Sequence, residues 1–259
     1  MNAIKQIWLK EIKEELYTWK SMVWLVVTAF LFSFTTYLLL TNKELSLLDQ
    51  TELLFLLSQI IIGVGLLIIT IDASSIITSE FEKETAESLF LSPIKIKDFI
   101  LGKFLASFTL WVLIFIIATP YITVSSAGSN LVLPFLGYVL FLGSLGVSAF
   151  IFLNFAISLL YRSSKNTLTT SLIVLLLLAI PAFLSSTFKN NTLGSFLGKV
   201  NPIDNIFGFL DNVLVDYHTR LIDNWQFFVP VIIFFALMLL FLIYAVRVFK
   251  RRGLIQKEL

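Results

Sequence analysis

The residues with the most chemistry to offer lie in one short run, Ser79-Glu80-Phe81-Glu82-Lys83-Glu84-Thr85-Ala86-Glu87-Ser88-Leu89-Phe90-Leu91-Ser92-Pro93. Glu80, Glu82, Glu84 and Glu87 crowd around Lys83. Ser79 followed three residues later by Glu82 has the form of a capping box, which predicts a helix starting at Ser79. Pro93 predicts its stop. That helix places Glu80, Glu84 and Glu87 near one face, with Phe81, Leu89 and Phe90 elsewhere. A short, stiff, strongly acidic helix suits the docking of a soluble partner. The same glutamates would also serve as a solvated helix face.

Residue types exclude several other chemistries. The chain has no Cys and a single His, so no thiolate nucleophile, disulfide framework or Cys-based metal site is expected. His218 stands near Asp216 and reads as a surface side chain, because one imidazole makes no metal site. Gly102-Lys103 looks like a fragment of a phosphate-binding loop, but position 97 is Lys and Phe104 follows. The G-x-x-x-x-G-K-[ST] pattern is therefore unmet, and no H-E-x-x-H or G-x-S-x-G occurs. The chain is read as no enzyme by itself.

The elements that must position residues 79–93 are apolar. Of 259 residues, 58 % are hydrophobic and 14 % charged, with a mean hydropathy of +0.91. Soluble domains average roughly 45–50 % and about 25 %, so neither a soluble globular nor a disordered chain fits. Six stretches reach the roughly 20 apolar residues of a membrane helix: 22–40, 53–71, 99–119, 133–160, 167–184 and 225–248. Pro181 predicts a kink or stop near the end of the fifth. Residues 1–259 read as a single membrane domain.

Charge then sets orientation. With the N-terminus in the cytoplasm, 15 of the 19 Lys and Arg residues fall inside and four outside. Fifteen cations against ten acids leave the inner segments at +5, and four against seven leave the outer ones at −3. This positive-inside bias predicts six spans with both termini cytoplasmic. The first 20 residues mix Lys and Glu among apolar residues, unlike the unbroken apolar core of a signal peptide. No span carries an ionisable residue near its centre, which argues against ion coupling. Asp72 and Lys103 stand only at inner ends, and Gln59, Ser107 and Asn154 read as interhelical packing groups. Gly63 and Gly65, with Gly143, Ser144, Gly146, Ser148 and Ala149, read as close-approach positions. Nothing resembles a selectivity filter, so a passive channel is disfavoured.

Two further amphipathic helices are expected. Ile4, Ile7, Trp8, Ile12, Leu16 and Trp19 recur at helical spacing within residues 1–21. That pattern predicts a helix at the inner surface, lying in the headgroup layer or packed on the membrane domain. Ile203, Ile206, Phe207, Leu210, Leu214 and Tyr217 predict another at the outer leaflet, within the segment 185–224. The expected fold class is an all-α membrane protein.

Glu80, Glu82-Lys83, Thr85, Glu87, Leu89, Ser92-Pro93 and the later Gly102-Lys103 resemble the signature of ABC-2-type exporter permeases. That signature is an acidic-basic-acidic cluster, Gly-Thr, an acidic residue, a Leu pair, a small residue before Pro and a later Gly-Lys. Glu84 replaces the usual Gly, and Phe90 stands in the Leu pair. The six-span layout extends the resemblance over nearly the whole chain. The resemblance implies that residues 79–92 form a coupling helix, seated in a groove on a separate ATP-binding subunit. Ser79, Glu80, Glu82, Lys83, Glu84, Thr85, Glu87, Leu89 and Pro93 would carry that docking. The inner loop around Arg162 and Lys165 would be a minor contact. Short helices before the last span would form a lid over the outer end.

The expected protein is thus the permease subunit of an ATP-binding-cassette exporter in a bacterial inner membrane. It would hold no cofactor itself, ATP and Mg²⁺ being bound by two ATPase copies. Six spans are half the usual twelve, so a second permease copy or a paralogue completes the path through the lipid bilayer. The spans' apolar, aromatic walls favour an amphipathic, lipid-like or peptide cargo, and no nucleic acid partner is expected. The alternative is a membrane anchor of an ABC-type complex, of the gliding-motility or metalloenzyme-maturation kind, through which nothing moves.

Overall fold

The computed structural model describes residues 3–17, 19–41, 49–83, 95–127, 132–183, 192–215 and 224–255. Among them the chain is helical, with no strand. An apolar chain in lipid must satisfy its backbone within each segment, and helices do this without an edge. The helices are α1 (Ala3–Tyr17), α2 (Trp19–Thr41), α3 (Gln50–Ile76), α4 (Thr78–Glu82) and α5 (Ile96–Ser125), followed by α6 (Val132–Tyr161), α7 (Ser164–Phe183), α8 (Thr192–Val200), α9 (Pro202–Leu214) and α10 (Trp225–Ile255). Six of them, α2, α3, α5, α6, α7 and α10, are long and apolar enough to cross a membrane.

The crossings alternate. The ends of α3, α6 and α10 and the starts of α5 and α7 meet at one end, where Lys103, Ser164 and Arg162 make their contacts. This is the basic end. At the far end Gln50 donates to the Ser125 and Ala127 carbonyls, tying the start of α3 to the end of α5. Asn212 and Asn224 join α9 to the start of α10 there.

The core lies among α3, α5 and α6, whose most apolar windows are 50–56 % buried, against 17–22 % for α2, α7 and α10. The three peripheral spans therefore show most of their apolar surface outward. Trp111 of α5 locks the inner three. Its buried ring lies against Gly65 of α3 and Gly143 of α6, and its Nε1 donates to Ser144 Oγ at 3.0 Å. A side chain at either glycine would overlap the ring, so these positions serve the close approach read from the sequence. Gly63 faces open space instead.

One expectation changes. The segment before the last span is two helices, α8 and α9, rather than one outer-surface helix. Ile203, Ile206, Phe207 and Leu210 are buried, and α9 packs against α3, α6, α7 and α10. Ile206 reaches Gly146, about 20 Å along α6 from its far-end start at 1.5 Å per residue. The apolar stripe is packed inside the bundle because it faces other helices rather than lipid. Tyr217 and His218 lie outside the described residues. Pro181 lies in the last described turn of α7, which runs to Phe183.

The amphipathic stripe of α1 is seated on α5. Ile7 closes over Gly102, and Trp8 Nε1 donates to Thr109 Oγ1 at 3.1 Å. Of the two placements open to this helix, the structure shows packing on the membrane domain.

Candidate functional site

The site forms where α3 breaks. Ser74 and Ser75 turn their hydroxyls onto the carbonyls of Ile71 and Asp72, and Thr78 onto that of Ser74. Such side-chain bonds compete with the helix ladder and bend it. The carbonyl of Ile76 is taken by Lys103 Nζ at 2.7 Å. Ile77 keeps helical angles, and α4 continues from Thr78 with no side-chain cap. The capping box read at Ser79 and Glu82 is therefore not made. No extended residue precedes Ser79, so no new helix starts there, and Glu82 bonds elsewhere.

Lys103 is 1 % exposed. Its ammonium donates to Glu11 at 2.9 Å, to Glu80 at 3.2 Å and to the Ile76 carbonyl, which uses all three of its protons. The Phe99 ring lies 5.0 Å away. One cation thus joins α1, α4, the end of α3 and its own helix α5. Glu80 is accordingly turned into the protein rather than lying on an acidic outer face. Glu11 is 7 % exposed and sits within the apolar stripe of α1. Nothing in the sequence marked it, because its partner lies 92 residues away.

The opposite side of α4 meets the turn between α6 and α7. Glu82 Oε1 accepts from the Ser164 backbone N–H at 2.7 Å, and Oε2 from the Ser164 hydroxyl at 2.9 Å. Thr78 Oγ1 lies 2.6 Å from Ser164 Oγ. Arg162 adopts a left-handed φ of 55° and stands over the rings of Phe81 and Phe249 at 5.8 and 5.2 Å. Those rings lie 5.6 Å apart. Lys83 and Lys165 are exposed. Glu84, Thr85, Glu87, Leu89 and Pro93 lie outside the described residues.

At the far end, a cavity of about 830 Å³ opens between α3, α8, α9 and α10. Phe55, Phe207, Trp225 and Phe227 line it with rings, and Gln59, Lys199, Asp204, Asp211 and Asn212 with polar groups. Asn201 caps α9 through Ile203 and Asp204 and donates to the Leu178 carbonyl at 2.6 Å. Asn205 spends its amide on the carbonyls of Gly198, Lys199 and Asn201. No group of His, Cys, Asp or Glu among the described residues could hold a metal ion.

A six-span helical bundle with a polar junction at the loop after its second span defines a multi-pass membrane permease domain. The family model for ABC-2 family transporter proteins matches residues 6–254, and the chain belongs to that family. It is therefore a membrane permease subunit of an ABC transporter, of a family whose members work with an ABC ATPase subunit. A comparison with curated proteins returns no match.

Proposed function

We propose that the chain is the membrane half of an exporter, driven from the basic end. The observation that carries this reading is the convergence on α4. Within this five-residue helix, Glu80 bonds to Lys103 of α5, which in turn holds Glu11 of α1; Thr78 and Glu82 meet the start of α7, and Phe81 stacks on α10. A push there reaches both the core and the periphery of the bundle. Residues 79–93 form the seat for an ATPase subunit, with Arg162 and Lys165 as the minor contact, and the two ATPase copies of the complex bind ATP and Mg²⁺. This chain binds no cofactor. The basic end faces the cytoplasm of a bacterial inner membrane, as its excess of Lys and Arg favours. A second copy or a paralogue completes the transporter.

The far-end cavity, lined by aromatic rings together with amide, carboxylate and Lys199 side chains, suits an amphipathic, lipid-like or peptide cargo moving outward. The test is co-expression with an ABC ATPase encoded beside the gene, then reconstitution with fluorescent lipids and labelled amphipathic peptides. The expected result is co-purification, permease-stimulated ATP turnover and ATP-dependent movement of one probe. Failure of every such ATPase to bind would sink the reading. Stimulated turnover with no probe moved would favour a membrane anchor in an ABC complex.

A further inference from the structure

We infer that Glu82 and Arg162 join the two loops of the basic end into one rigid unit, so that α4, α7 and α10 turn together. The use of that unit as a lever rests on the reading that an ATPase pushes on α4; its rigidity does not.

The first tie is a helix cap supplied from a distance. The N–H of Ser164, the first residue of α7, is among the donors that a helix cannot satisfy internally. Helices commonly cap such donors with their own flanking side chain, which leaves the start free to move with its local loop. Here the acceptor is Glu82, 82 residues earlier, at 2.7 Å. Its second oxygen takes the Ser164 hydroxyl at 2.9 Å. A carboxylate at this end also meets the positive pole of the α7 dipole. If α4 shifts, α7 follows or loses this cap.

The second tie is Arg162. A left-handed φ is uncommon outside Gly, Asn and Asp, yet Arg162 adopts it at 55° in the two-residue turn between α6 and α7. In that conformation its guanidinium covers Phe81 of α4 and Phe249 of α10 together. Thr78, Phe81 and Glu82 thus share one side of α4. Glu80, about 200° around the helix from Thr78 at 100° per residue, takes the other side, toward Lys103. α4 is a wedge with α7 and α10 on one flank and α1 and α5 on the other.

α7 and α10 are peripheral spans, with only 17 % of each window buried, and α10 packs along α6.

The chain has no Cys, so spin labels can be placed freely on Lys83→Cys and Asn166→Cys, two exposed positions flanking the ties. Ser164→Pro breaks the first tie without unfolding α7, because Pro is favoured at the first helical position and lacks the N–H. Phe249→Leu removes one ring and keeps the volume. Ser164→Thr retains both donors. In permease alone, in nanodiscs, the wild type and Ser164→Thr are expected to give one narrow Lys83–Asn166 distance distribution. Ser164→Pro and Phe249→Leu are expected to broaden it. Equal widths in all four would overturn the rigid unit. With the ATPase added to the unlabelled proteins, Ser164→Pro is expected to bind it but to lose stimulated turnover. Unchanged turnover would overturn the lever. If no ATPase binds even the wild type, the functional reading fails, and the distance measurement alone decides the rigid unit.

Discussion

Lys103 Nζ lies 2.9 Å from Glu11 Oε1 in a site where the lysine side chain is 1 % and the glutamate 9 % exposed. This pair fastens α1 to the third span. Together with Glu80 it makes a junction of one cation and two carboxylates.

Removing the cation leaves two carboxylates desolvated and facing each other. Lys103→Met is expected to destabilise the purified permease by about 3 kcal/mol or more, as for other broken buried pairs. Glu11→Gln keeps an acceptor for Nζ and is expected to cost less. Reversible denaturation in mixed detergent micelles checks both. Equal stability of Lys103→Met and wild type would show the junction to be without structural weight.

Two glycines two residues apart, on opposite sides of α3, are expected to behave oppositely. Gly65→Ala pushes a methyl into the Trp111 ring and is expected to cost about 1–3 kcal/mol through overpacking. Gly63→Ala meets open space and is expected to stabilise α3 by up to about 1 kcal/mol on propensity. Thermal unfolding followed by Trp fluorescence separates them. Trp111→Phe, a smaller ring, is expected to recover part of the Gly65→Ala loss.

Asn205 is 5 % exposed and serves three carbonyls at the joint of α8 and α9. Asn205→Leu leaves them without that donor, at about 1–3 kcal/mol. Hydrogen exchange is expected to rise across residues 192–215 while the core helices keep their protection. A uniform rise throughout the bundle would contradict a local role.

Ser171 Oγ is buried with no hydrogen bond, so the hydroxyl brings a desolvation cost and no return. Ser171→Ala is expected to raise stability by about 1 kcal/mol. A fall in the melting temperature would show that the hydroxyl is bonded in the membrane.

Single cysteines at Lys83, Lys165 and Lys199, all exposed, test orientation in a chain that has none of its own. A membrane-impermeant maleimide added to intact cells is expected to label Lys199→Cys, and to label Lys83→Cys and Lys165→Cys only after lysis. The reverse pattern would invert the proposed topology.

What the sequence determined by itself follows from properties that are local. Each span is a run of apolar residues long enough to cross lipid, so the number and order of the crossings were legible, and the helices exceed the predicted bounds by a few residues at most ends. The signature around residues 79–103 led to the family for the same reason, because a motif is read along the chain. The tertiary structure alone decided where the polar groups of those segments go. Glu80 and Glu82 read as an acidic face and a cap, but their partners, Lys103 and Ser164, are 23 and 82 residues away. Nothing along the chain singles out Glu11, whose partner Lys103 is 92 residues away. The stripe of α9 looked suited to a lipid surface, because apolar periodicity tells a helix which side to hide and not what will cover it. A buried charge is stable only where its counter-charge arrives, and in this bundle that is settled by the packing of distant helices.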